Sequence, residues 1–344
     1  MPTDPALVVH PLGGRKGGAE RILFIRSDRM GDVLMNLPAV RCLRQNYPKA
    51  WLTWMVDRSV APLLRDHPDV DEIFEIDNVK LREDAAYRRE LLQRVRKIKF
   101  DLGIASNAEK FFHWMLFRAG IPVRAGWARK WGFLLNRRLG DDKASVGRHE
   151  IDSNLKLVGL VGNRAWDGSW RLPVDSAAVS AIEKRLTKEF PELEIPVVVV
   201  HAGTSDPDKR WPAVKFAAAC SRLLEQKRAR VLLVGGSEEE AQSRELFSCL
   251  PEGAADWTGA LNLKELSALL HAPRLNTVLS VDSGPVHIAW LHGKPVVALY
   301  AKNTQGSNPT RWGPKSAGSV VIYKNIPDIS SEEVASALDA VLAR

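Results

Sequence analysis

The sequence predicts an α/β protein built as two Rossmann-like doubly wound domains facing a cleft, and three observations carry that reading. Short apolar runs alternate with amphipathic helical stretches over residues 21–119. The same alternation restarts at about residue 197, and four of the apolar runs end in turns of small or polar residues. Residues 163–173, rich in turn formers around Trp166 and Trp170, read as the linker, with both tryptophans exposed. The expected units are a disordered tail over 1–20, domains over 21–165 and 175–328, and a C-terminal helix over 329–344.

In chain order, Arg21 to Arg26 reads as the first buried parallel strand. Ser27 to Asp32 reads as a turn and Val33 to Asn46 as a helix with Val33, Leu34, Leu37, Val40 and Leu43 on one face. Strands are expected at 50–56, 70–76 and 100–106, and helices at 57–66, 82–97 and 109–119. After the linker comes an amphipathic helix at 175–190. Strands follow at 197–201, 230–234, 276–280 and 295–300, with helices at 211–225, 238–249 and 263–271. Ser330 and Glu333 have the Ser-x-x-Glu spacing of a helix start.

A chain of 344 residues is long for one core and comfortable for two. No apolar run approaches the ~20 residues of a membrane span, and Ile22 to Ile25 is too short for a signal-peptide core. Cys42, Cys220 and Cys249 have no paired or metal-like spacing and read as buried thiols in a reducing compartment, which makes the cytoplasm the expected location. The net charge of +8 is uneven. The first 170 residues carry 29 Lys and Arg against 21 Asp and Glu, and the remainder carries 20 of each. The first half is therefore expected to meet an acidic partner. From Lys110 to Arg138 there is no acidic residue, and seven basic ones are interleaved with Phe111, Phe112, Trp114, Trp127, Trp131 and Phe133. A solvated basic face is one reading of that stretch; an anionic or membrane-surface ligand is the other.

Chemistry is expected where small-residue turns follow strands. Asp282, Ser283, Gly284, Pro285 and His287 sit where a strand turns into a helix. Unpaired first-turn amides and the helix dipole favour an anion there, and Asp282 is placed to accept from a ribose. His201-Ala202-Gly203-Thr204-Ser205 and Gly235-Gly236-Ser237 supply two more such turns, with Lys209 able to neutralise a diphosphate and Glu239 able to hold ribose hydroxyls. Asp206 and Asp208 resemble an Asp-x-Asp metal site, but the adjacent Lys209 and Arg210 already supply cations, so no metal is assigned. Asp32 lies in the loop after the first strand. It is either a general base at the sheet's carboxyl edge or a cap for a helix starting at Val33.

These residues resemble the bacterial lipopolysaccharide heptosyltransferases, glycosyltransferases that use ADP-heptose. The resemblance covers the chain from Arg21 to about Pro314. It rests on Ile25-Arg26, Met30-Gly31-Asp32-Val33 and Leu37-Pro38, then on His201-Ala202 and Lys209-Arg210-Trp211-Pro212. Gly235-Gly236 with Glu239, and Asp282 to His287, complete it. It implies a GT-B fold, a first domain that binds the acceptor and a second that binds the nucleotide sugar. The implied reaction is metal-independent, needs no cofactor and inverts the anomeric centre. By the same resemblance Asp32 acts as base with Arg26 beside it, and Lys209, Thr204 and Ser205 hold the diphosphate. Glu239 binds ribose, and Asp282, Ser283, Gly284 and His287 bind phosphates and sugar. Asp28 and Arg29 stand where the family carries small residues, which places Arg29 on the acceptor side.

The implied partners are ADP-heptose and an anionic lipopolysaccharide core acceptor, with peripheral contact at the inner face of the cytoplasmic membrane and no nucleic acid. Two alternatives stay open. A nucleotide-sugar epimerase of the same architecture would need no acceptor, and a non-catalytic nucleotide or glycolipid binder would show no turnover.

Overall fold

The computed structural model describes residues 20–142, 147–302, 304 and 308–344. Of the tail expected over 1–20, all but Glu20 lies outside the described residues. The chain divides into two compact units, Met1–Pro173 and Val174–Arg344.

The first unit runs β1 (Arg21–Ile25), α1 (Met30–Leu34), α2 (Leu37–Asn46), β2 (Trp51–Asp57), β3 (Glu72–Ile76), α3 (Asn78–Glu83) and α4 (Ala85–Ile98). It continues with β4 (Leu102–Ala105), α5 (Lys110–Arg118), β5 (Val123–Trp127), β6 (Arg137–Leu139) and α6 (Glu150–Val158). Its six strands are all parallel, in the order β3-β2-β1-β4-β5-β6. Successive side chains of β1 serve opposite faces, as strand geometry requires. Leu23 and Ile25 join Leu91, Val95, Phe112, Met115 and Leu116 of α4 and α5 in one core. Phe24, also fully buried, meets Trp54 of β2 edge-on, with ring centroids 5.7 Å apart. A strand buried on both faces explains why β1 has no polar alternation.

The second unit runs α7 (Ser176–Glu189), β7 (Val197–His201), α8 (Ala213–Glu225), β8 (Arg230–Leu233), α9 (Glu240–Ser248) and β9 (Ala254–Asp256). Then come α10 (Leu263–His271), β10 (Leu275–Val281), α11 (Gly284–Leu291), β11 (Val296–Ala301), α12 (Pro309–Trp312), β12 (Val320–Lys324) and α13 (Ser331–Leu342). Its six parallel strands follow β12-β11-β10-β7-β8-β9. One core cluster joins Val198, Val200, Leu279 and Val281 to Phe216 of α8, Leu246 of α9 and Leu338 of α13.

Numbered within its own unit, each sheet has the same order, 3-2-1-4-5-6, with the reversal of winding between its first and fourth strands. Ligands of open α/β sheets bind outside the strand ends at that switch point. The switch points therefore lie at the loops after β1 and β4, and after β7 and β10.

The structure corrects several expectations. The helix expected from Val33 starts at Met30 and breaks after Leu34, because Pro38 has no N–H to give the carbonyl four residues back; it resumes at Leu37. Residues 57–66 form only a short 3-10 turn at Ala61–Leu63. The charged helix expected over 82–97 is two helices, because Asp84 turns extended and its carboxylate caps α4 by accepting from the amides of Ala86 and Tyr87. Trp166 and Trp170 are half-buried and stacked, 6.2 Å apart. Cys42 and Cys220 are buried, but Cys249, at the end of α9, is exposed. Strands β5, β6, β9 and β12 were not anticipated.

Candidate functional site

In the second unit the switch point gathers three loops. His201 ends β7, Ser280 lies near the end of β10, and Glu239 comes from the short turn that leads into α9. Glu239 Oε2 lies 3.1 Å from His201 Nε2 and accepts from the Gly236 amide at 2.9 Å. A carboxylate only accepts, so His201 carries its proton on Nε2. His201 Nδ1 faces the hydroxyls of Ser280 at 3.1 Å and Ser283 at 3.3 Å, and Ser280 donates back to the His201 carbonyl at 2.7 Å. Burial raises the Glu239 carboxyl, but the His201 ring and the Gly236 amide outweigh it and hold it below the usual range.

Glycines leave room for this carboxylate where it stands. A Cβ added to Gly203 would lie 1.6 Å from Glu239 Oε1, and one on Gly235 would lie 2.5 Å from Oε2. A cavity of about 700 Å³ opens beside it, lined by Thr204, Ser205, Arg210, Trp211, Glu239 and Gln242 among others. That volume is in the range of small-ligand sites.

Lys209 Nζ lies 2.7 Å from Asp282 Oδ2, so the loops after β7 and β10 meet through one ion pair. Both side chains are mostly buried, at 13% and 10% exposure. Ser283 is the N-cap of α11, with its hydroxyl turned toward Ser280 and His201 rather than onto the helix amides. The amides of Gly284 and Val286 have no partner within the helix, and Pro285 needs none. Burial lowers the His287 pKa, which keeps the ring neutral. Its Nδ1 accepts from Trp290 Nε1 at 3.3 Å, leaving Nε2 as an N–H donor. Thr204 Oγ1 accepts from the Asp206 amide at 3.1 Å, and Asp206 in turn caps the turn that carries Lys209 by accepting from the Asp208 amide. Asp206 thus serves the loop's geometry.

The first unit has a different centre. Arg26, 4% exposed at the end of β1, is surrounded by carboxylates. Its Nε donates to Asp28 and one terminal nitrogen to Asp32, each at 2.6 Å. The other terminal nitrogen donates to the Ser106 carbonyl at 3.1 Å and lies 3.5 Å from Glu150, which is wholly buried. Burial alone would lower the Arg26 pKa, but the three carboxylates raise it further. Burial is also the largest influence on Asp28; with the charge of Asp32 it lifts the carboxyl to about 6 against the pull of Arg26. Asp32 sits in the first turn of α1, whose N-cap is the exposed Arg29, so it is not the cap of a helix starting at Val33. Asn36 holds this turn in place: its side-chain amide donates to the Asp32 carbonyl at 2.8 Å and accepts from Ser106 Oγ at 2.7 Å.

The site residues named from sequence thus fall into two groups. Arg26, Arg29 and Asp32 lie in the first unit; Thr204, Ser205, Lys209, Glu239, Asp282, Ser283, Gly284 and His287 lie in the second. Among the latter, Lys209 meets Asp282, and His201 links Glu239 to Ser283. Sequence reasoning passed over Glu150, Ser106 and Ser280. Ser280 had a signal, a hydroxyl inside an apolar strand, whereas Glu150 had none.

Two six-stranded parallel sheets of Rossmann order on one chain are the GT-B fold of glycosyltransferases. The model of glycosyltransferase family 9 (heptosyltransferase) matches residues 88–339. The chain belongs to that family and is a glycosyltransferase. It is 23% identical over 334 residues to a lipopolysaccharide core heptosyltransferase of Haemophilus influenzae, covering 90% of this chain and 84% of that one. Its fold is similar to that of a family 9 glycosyl transferase from Veillonella parvula, with TM-score 0.84, 20% identity and coverage of 94% and 97%. It is also similar to that of the E. coli ADP-heptose lps heptosyltransferase II, with TM-score 0.76, 24% identity and coverage of 94% and 98%. Among the described residues no helix is long and apolar enough to cross a membrane.

Proposed function

We propose that this protein transfers a heptose from ADP-heptose to the inner core of lipopolysaccharide or a related glycolipid, with inversion and without a metal. The observation that carries the reading is the second unit's switch point. There the largely buried Lys209–Asp282 pair and the amide end of α11 share the strand ends with Glu239, whose carboxylate lines a cavity of about 700 Å³. The similarity to a lipopolysaccharide core heptosyltransferase and to an ADP-heptose lps heptosyltransferase supports this donor and this acceptor class.

In this mechanism Glu239 accepts from the ribose hydroxyls through Oε1, since Oε2 already holds His201 and Gly236. Lys209 and the first-turn amides of α11 meet the diphosphate, with Thr204, Ser205, Ser283, Gly284 and His287 as further donors. The first unit binds the anionic acceptor, to which the exposed Arg29 is available. Asp32 removes the proton as the acceptor hydroxyl attacks the anomeric carbon, and the bond to the diphosphate breaks with its electron pair leaving on phosphate. Charge growing there is opposed by Lys209, the cation that stands where a metal would otherwise serve. Arg26 pairs with Asp32 and holds its carboxylate in place. The chemistry is placed at the inner face of the cytoplasmic membrane, where a lipid-linked acceptor is presented.

The test has two parts. Calorimetry with ADP, UDP and GDP, in EDTA and then in magnesium, should show an ADP preference that EDTA leaves unchanged; preference for UDP, or binding only with metal, rejects the donor assignment. Asp32→Ala should lower turnover by roughly 10²–10⁴-fold with ADP affinity retained. Near-wild-type turnover would remove Asp32 from the mechanism.

A further inference from the structure

Among the described residues, the segment 110–138, without acid and rich in aromatics, touches the centres described above only through buried Trp127, which donates to the Ser106 carbonyl at 2.9 Å. Of the six strongly exposed aromatic side chains among the described residues, three fall here: Phe133 at 71%, Phe117 at 47% and Trp131 at 42%. Cation contacts tie the stretches that carry them together. Lys110 Nζ sits 6.0 Å from the Trp131 ring centroid, joining the start of α5 to the segment after β5. The Arg124 guanidinium lies 5.5 Å over Phe117 and donates to the carbonyl of Leu134, next to Phe133, at 2.9 Å. Strand β6 is the outermost of its sheet, so no further strand covers it.

The charges around these rings are only partly neutralised. Arg129 pairs with Asp141 at 2.7 Å and Lys130 with Glu109 at 2.9 Å. Lys110, Arg118, Arg137 and Arg138 form no ion pair among the described residues. Exposed aromatic side chains on a segment that also carries cations without ion pairs among the described residues fit the boundary of a bilayer. The rings enter among the headgroups, while long basic side chains keep their charges at the level of the phosphates.

We propose that residues 110–138 form a docking surface for phospholipid bilayers bearing net negative charge, seated through Trp131, Phe133 and Phe117 and held by Lys110, Arg118, Arg137 and Arg138. The proposal deepens the functional reading above, because a lipid-linked acceptor is met at a bilayer, but its test requires no turnover.

The full-length protein is sedimented with vesicles of phosphatidylcholine alone, and with vesicles carrying 30 mol% phosphatidylglycerol (about a third of the lipid). Binding is expected to the anionic vesicles only and to weaken with salt. Each basic residue near an anionic surface contributes about fivefold in affinity, so Arg137→Glu/Arg138→Glu should lower it by roughly 25-fold or more. Trp131→Ser/Phe133→Ser should lower it at least about tenfold. Thermal unfolding and ADP binding, measured on the same proteins, should be unchanged. Absent vesicle binding, equal binding to neutral vesicles, or wild-type binding by both folded variants overturns the proposal. A wild-type protein that binds the anionic vesicles but not ADP would instead overturn the donor reading.

Discussion

Gly203 and Glu239 show how a single missing Cβ organises the site. A methyl carbon on Gly203 would stand 1.6 Å from Glu239 Oε1, so the carboxylate keeps its present position only opposite glycine. Gly203→Ala must push the carboxylate away and break its bond to His201. We expect ADP affinity measured by calorimetry to fall at least about tenfold, the cost of one displaced charged hydrogen bond; unchanged affinity would detach Glu239 from the donor. Asp28 provides a test that does not depend on ligand. Its folded pKa of about 6 lies above the ordinary value of 3.8, so the folded state binds the extra proton between those values. Stability contributed by that proton is present at low pH and is lost as pH rises through about 6. Asp28→Asn should therefore match wild type near pH 4 in thermal unfolding and exceed it at pH 7, with the gap opening between pH 4 and 6. Because the Asp28 carboxylate is 36% exposed, solvent makes the gap smaller than the shift alone implies. A constant gap across that range would show that the carboxyl is not perturbed.

Among the elements, helix ends decide where polar groups go. Asn262 caps α10 by accepting from the amides of Lys264 and Glu265 at 3.0 Å, while the Glu265 carboxylate accepts from the Asn262 backbone N–H at 2.9 Å. Asn262→Ala should cost about 1 kcal/mol in denaturant unfolding of the second unit; a loss under a few tenths would mean the side-chain cap is dispensable. The elements named correctly from sequence are those with a strong local period. Four consecutive valines in β7 and the run Ile22–Ile25 in β1 are sandwiched between helices, so burial on both faces shows directly in composition. The edge strands β6 and β12 are buried on fewer sides. Arg137-Arg138-Leu139 carries no apolar run, and β12 buries only Ile322 well. Their strand character comes from pairing with β5 and β11, which no local pattern reports.

For the molecule as a whole, the expectation is an assignment of tasks to units. ADP in large excess should raise hydrogen-exchange protection around His201–Arg210, Gly235–Gln242 and Asp282–His287, and leave β1 to β6 unchanged. At a hundredfold excess over Kd the stabilisation would be about 2.7 kcal/mol. Protection gained instead around Arg26 and Asp32 would move the donor site to the first unit.

The sequence alone determined the doubled alternation of strands and helices, the small-residue turns after the central strands, and the family. All of these are short-range signals, written in neighbouring side chains by the periods of the backbone. Tertiary structure decided what those turns hold. Glu150 reaches Arg26 across more than a hundred residues, His201 meets Glu239 and Ser280, and Lys209 meets Asp282. Parallel sheets bring the carboxyl ends of distant strands side by side, so groups remote in sequence converge only once the winding order reverses at the switch point. A buried charge is then tolerated only where that convergence supplies its partner.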